Sequence, residues 1–146
     1  MTTTGDRNTI VVGVDGSEAS VEALRQAEKL ATAMGAQVDA TACWEYPLNY
    51  AGYVASGIDR FQEGAAAVLN NSVEKAFGPE KPANVTTRLL QGPIRPTLID
   101  ASKDAAMLVV GRRGHGGFGG LLLGSVSSAC IAYAKCPVLV VHSPQA

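Results

Sequence analysis

Gly111-Arg112-Arg113-Gly114 is followed, nine residues later, by Gly124-Ser125-Val126-Ser127, between an apolar run and a helical pattern. This G-x2-G-x9-G-S spacing has the chemistry of a phosphate cradle. Anionic oxygens need several backbone N–H groups aimed at one point, and residues without a Cβ let the backbone come that close. Ser125 and Ser127 stand at the start of the following helix, so their hydroxyls add donors where the helix dipole is positive. Arg112, Arg113 and His115 supply cationic or donor groups beside the glycines, ranked below the backbone as anion contacts.

Two other glycine signatures fail on the same stretch. Gly114-His115-Gly116-Gly117-Phe118-Gly119 spells G-x-G-x-x-G, but its helix begins too late and no acid follows about 20 residues on to hold a ribose. Gly119 through Gly124-Ser125 has the outline of a Walker A loop with Ser125 where lysine belongs, which argues against a fast P-loop NTPase. Asp15-Gly16-Ser17 is the second constellation. Ser17 is explained as a helix cap, whereas Asp15, at a strand tip, can accept from ribose hydroxyls or adenine, or hold a metal on phosphates. Ser125 lacks the G-x-S-x-G context of a serine nucleophile, so no catalytic residue is assigned. Cys130, Cys136 and His142 lack zinc spacing, and no protein metal ligands are assigned.

The elements that must position these residues follow from periodicity. Thr9–Asp15 is an unbroken β-branched run, as expected of a central strand buried on both faces. Val21, Leu24, Ala27, Ala31 and Met34 recur at helical spacing, with Ser17 as N-cap and Gly35 as stop. Strands are then predicted over Gln37–Trp44, Val85–Leu90, Met107–Gly111 and Pro137–His142, and helices over Ile58–Phe77, Ile94–Asp104 and Ser125–Ala134. Glu45–Gly57, with Tyr46, Tyr50 and Tyr53, is predicted to be a surface loop. Five strands alternating with four helices predict an α/β fold: an open, mostly parallel sheet with helices on both faces. Ligands of such sheets sit outside the strands' carboxyl ends where the strand order reverses, and Asp15 and the Gly111 loop both lie at such ends.

Composition narrows the partners. The chain has 146 residues, a net charge of −1 from 12 basic and 13 acidic side chains, and 16 glycines. That length suits a single domain over 1–146. Balanced charge calls for neither nucleic acid nor a membrane surface, and the apolar runs are too short to span one. A polar N-terminus and three unpatterned cysteines, Cys43, Cys130 and Cys136, point to a cytoplasmic protein with reduced, structural thiols.

Val12-Gly13-Val14-Asp15-Gly16-Ser17, Val109 through His115, Gly124 through Ser127, and Cys136-Pro137-Val138-Leu139-Val140-Val141 together resemble the universal stress protein family. The likeness runs through the element order of the whole chain, with little motif content between Trp44 and Pro82. It implies an adenine nucleotide alpha hydrolase-like fold with strand order 3-2-1-4-5, and the branch of the family that binds ATP, with Mg²⁺ as its companion. On that likeness Gly111, Gly114, Gly124, Ser125 and Ser127 hold the phosphates, with Arg112 beside them and Val126 between the two hydroxyls as further binding residues, while Asp15 faces the adenosine and Trp44 lies along the adenine. Tryptophan departs from the small aliphatic residue usual there. The resemblance further implies a homodimer paired through Pro137–Val141, a use for an apolar edge that would otherwise invite uncontrolled pairing. The function implied is an ATP-binding stress-response protein whose nucleotide acts as ligand or switch. The alternatives are slow Mg²⁺-dependent ATP hydrolysis, which leaves enzymatic status open, cyclic AMP binding, and a partner-binding dimer in which nucleotide is incidental.

Overall fold

A computed structural model describes residues 8–46, 54–112 and 123–143, the side chains of 54–59 excepted. The elements run β1 (Thr9–Gly13), α1 (Glu18–Met34), β2 (Gln37–Trp44), α2 (Val54–Phe77), β3 (Val85–Gln91), α3 (Ile94–Ala101), β4 (Met107–Gly111), α4 (Ser125–Tyr133) and β5 (Val138–Val141). The strands form one sheet in the order β3-β2-β1-β4-β5. Every pairing in it is parallel, where the pattern predicted only a mostly parallel sheet.

The lack of alternation in β1 has its physical reason in two cores. Ile10 and Val12 point to one face, against Leu24, Ala27 and Ala31 of α1 and Leu69 and Val73 of α2. Val11 points to the other, where Leu108 and Val110 of β4 meet Leu98 of α3 and Cys130 of α4. A strand covered on both faces gains from apolar residues at every position. Fully burying each such side chain contributes about 1.5–3 kcal/mol of transfer free energy.

α1 begins and ends where its local signals put it. Ser17 Oγ accepts from the amide of Ser20, and Gly35 adopts a left-handed φ of 69° while its N–H reaches the carbonyls of Ala31 and Thr32. That conformation is open to glycine at little cost. Met34, on the same helical spacing as the buried residues, is half exposed in the last turn.

Other boundaries shift. α2 starts at Val54, four residues before the predicted Ile58, so the connection from β2 is shorter than the predicted Glu45–Gly57 loop. α3 stops at Ala101 and not at Asp104. Beyond it Lys103 N bonds to Asp100 O and Ala105 N to Ser102 O, tight turns that replace the last helical turn. β3 gains Gln91. β1 ends at Gly13, although Val14 N continues to Thr41 O at 2.9 Å. β5 occupies Val138–Val141, inside the predicted Pro137–His142.

Candidate functional site

β1 and β4 are neighbours, while the chain passes from β1 to β2 on one side and from β3 to β4 on the other. Strand order therefore reverses between them, and the connections leaving their carboxyl ends bound the crevice where such sheets take ligands. One connection is the Val14–Ser17 turn into α1; the other leaves β4 at Gly111-Arg112 and returns at Gly124 into α4. Both expected constellations thus converge on the switch point.

The β1–α1 turn is held by side chains. Asp15 Oδ1 accepts from the Ser17 amide at 2.9 Å and from Ser17 Oγ at 2.6 Å. Ser17 Oγ in turn accepts from Ser20 N at 3.1 Å, and Ser20 Oγ donates to Ser17 O at 3.0 Å. Gly16, with φ 86°, permits the turn. One oxygen of Asp15 is thereby fixed by the protein and orients the carboxylate. Glu18 adds a second acid to this helix start.

α4 starts differently. Its N-cap is Gly124, which has no side chain to cap the helix, and no acid stands in its first turn. The first helical bond is Ser128 N to Gly124 O at 3.0 Å. Among the described residues, no acceptor meets the amides of Ser125, Val126 and Ser127. Three orphan donors and the positive end of the helix dipole make an anion seat. Ser125 is exposed, so its hydroxyl can join them, and Val126 is half-buried against the Leu98 core.

Two residues of the motif have structural partners that their spacing does not reveal. A Cβ on Gly111 would stand 2.6 Å from Ala19 Cβ and 3.0 Å from the Ala19 carbonyl carbon, so a glycine here lets α1 pack on the end of β4. Gly13 of β1 instead leaves room for a side chain of α3, since a Cβ there would lie 2.7 Å from Leu98 Cδ1. Ser127 Oγ, fully buried, donates to Arg112 O at 2.8 Å. The Arg112 peptide is held on its other side as well, its N–H bonding to Val141 O at 2.7 Å.

Trp44 closes β2. Its carbonyl accepts from Gly92 N at 2.8 Å, and its ring meets Tyr46 edge-on at 5.4 Å, with Tyr46 edge-on to Phe61 of α2 at 5.7 Å. The tryptophan is thus part of an aromatic wedge joining β2 to α2. Arg113, Gly114, His115, Tyr50 and Tyr53 lie outside the described residues. Arg88 of β3 pairs with Asp39 of β2 at 2.9 Å. Burial raises the Asp39 carboxyl above its ordinary value, an effect that the Arg88 charge offsets in part. The cysteines are free thiols, and burial pushes Cys43 and Cys130 up to about 11. Among the described residues, no helix is long and apolar enough to cross a membrane.

Residues 7–142 match the model of the universal stress protein family. A universal stress protein of Mycobacterium tuberculosis is 36% identical over 145 residues, an alignment covering 91% of this chain and 47% of the relative. The chain spans about half the length of the curated relatives it matches. Among solved structures, UspA of Lactobacillus plantarum superposes with a TM-score of 0.76 at 20% identity, over 92% of this chain and 97% of that one. A universal stress protein in complex with cAMP superposes with a TM-score of 0.72 at 25% identity, over 94% and 99% of the two chains.

Proposed function

The chain belongs to the universal stress protein family, and we propose that it is a stress-response protein that binds ATP, with Mg²⁺ carried on the phosphates, as a ligand or switch. The observation that carries this reading is the start of α4: a glycine cap, no first-turn acid and three amides with no acceptor among the described residues, set at the switch point beside Asp15. The amides of Ser125, Val126 and Ser127 would take phosphate oxygens, with Gly124 as their side-chain-free cap, together with Gly114 and with Arg112 as a counter-charge. Asp15 would face the ribose and adenine, with Trp44 at the base. When bound, the nucleotide supplies the negative charge this terminus lacks. No general base is assigned, which favours a grip over turnover.

Isothermal titration with ATP and Mg²⁺ tests the proposal: saturable binding is expected, and no heat up to millimolar nucleotide would overturn it. Cyclic AMP is the second reading, supported by the similar protein seen in complex with cAMP. Competition between the two ligands decides, with ATP expected to displace cAMP. Slow hydrolysis is tested by comparing turnover with Asp15→Ala, since equal rates would point to contamination.

The same reading makes 1–146 a single domain in the cytoplasm, without nucleic acid partners, and a homodimer through Pro137–Val141. Among the described residues β5 pairs only with β4, and Ile131 and Tyr133 of α4 are large apolar side chains left 51% and 70% exposed. Both features suit pairing with a second copy. Sedimentation is expected to give twice the chain mass.

A further inference from the structure

The chain leaves the sheet at Arg112 and rejoins the fold at Gly124, and these two residues are bonded to each other: Gly124 N donates to Arg112 O at 2.8 Å. Ser127 Oγ donates to the same carbonyl at 2.8 Å and lies 3.2 Å from Gly124 O. The Arg112 carbonyl thus receives two donors from the start of α4, while its amide is anchored on β5. A serine hydroxyl carries one proton. With that proton on Arg112 O and the side chain 1% exposed, it is committed to the protein. The Ser127 amide, by contrast, is among the three that meet no acceptor among the described residues.

We propose that the Ser127 side chain is a positioning residue: it ties the N-terminus of α4 to the end of β4, so that the amides of Ser125, Val126 and Ser127 are aimed before any ligand arrives. Which anion they receive rests on the nucleotide reading above; the tie itself does not. A helix terminus without a side-chain cap has nothing local to fix its direction, and here a bond across 15 residues does it. Pre-aimed amides bind an anion without a reorganisation cost at the moment of binding.

The test uses the full chain with Ser127→Ala and Ser127→Cys, the latter keeping a buried side chain that donates weakly. Hydrogen exchange is first measured residue by residue without nucleotide. A hydrogen bond of this kind is worth about 1 kcal/mol, so the Gly124 and Ser128 amides are expected to exchange roughly five- to tenfold faster in Ser127→Ala, and less so in Ser127→Cys. Val11 and Val12 in β1 should keep their protection. Affinity for ATP should fall by a similar factor, while affinity for adenosine, which has no phosphate, should not change. Unaltered exchange at Gly124 alongside weakened ATP binding would make Ser127 a direct phosphate ligand and overturn the proposal. Equal acceleration at Gly124 and Val12 in both variants would make the bond merely global and also overturn it. If the wild-type chain binds no nucleotide, the exchange measurement still decides the tie, and only the nucleotide reading fails.

Discussion

The β1–α1 turn and the β4–α4 connection leave neighbouring parallel strands and touch at Gly111, yet they treat their helix termini in opposite ways. α1 caps itself: Ser17 accepts from Ser20 N, Asp15 holds Ser17, and Glu18 complements the dipole. α4 is capped by a glycine, has no acid in its first turn, and is anchored from within its own first turn through Ser127. A self-capped terminus with two nearby carboxylates repels an anion; an uncapped one attracts it. The same switch point therefore has carboxylates on one side and the positive end of an uncapped helix on the other, a division that suits a ligand with a hydroxyl-bearing end and a phosphate end.

The largest expected effect tests the contact between the two connections. Gly111→Val places branched carbon where Ala19 already lies, and urea denaturation is expected to show a loss of about 1–3 kcal/mol, the usual cost of overpacking. Next is the cap of α1. Ser17→Ala should cost about 1 kcal/mol in the same assay, because it removes the acceptor for Ser20 N. A loss below the resolution of the assay would mean that α1 does not depend on its own cap.

Ser125→Asp gives the α4 start the charge that α1 already has. Stability should rise by about 0.3–1 kcal/mol while ATP binding weakens about tenfold or more, effects of opposite sign read by denaturation and calorimetry. If both moved in the same direction, the seat would not be the start of α4.

A prediction with a different readout concerns Cys130, within α4. Its thiol is raised from 9.0 to about 11, so the folded state holds the proton more tightly than the unfolded state does. The associated stability is present below pH 9 and is lost as pH rises through about 11. At pH 8 the native thiol should carry about 100-fold less thiolate than a free cysteine, and peptide-resolved alkylation should be slower accordingly. Nucleotide that settles α4 should slow it further. Labelling at the rate of an unfolded control would show that α4 does not cover Cys130.

Where structure follows from neighbours in the chain, it was legible. Ser17 as cap, Gly35 as left-handed stop and the β-branched runs of β1 and β4 sit where their local signals put them. The ends of α3 and β1 were less so, because turns after Ala101 and Gly13 compete with continued helix or strand on nearly equal terms. Within the site, the convergence of Asp15 with Gly111 was readable from their places at strand ends. The partners of Gly111 and Ser127 were not, since Ala19 and Arg112 are distant in sequence and leave no periodic trace. The family resemblance places Trp44 along the adenine, and nothing in the sequence announces its edge-on contact with Tyr46 or the link from Tyr46 to Phe61.

The sequence by itself determined the element order, the mostly parallel α/β class and the two loops at the strand ends, because periodicity, caps and glycine spacing act over a few residues at a time. Only the tertiary structure decided the work within the motif. Gly111 is a glycine because α1 presses on it, and the Ser127 hydroxyl is turned to Arg112, since close approach and a single proton's destination depend on what the fold brings alongside.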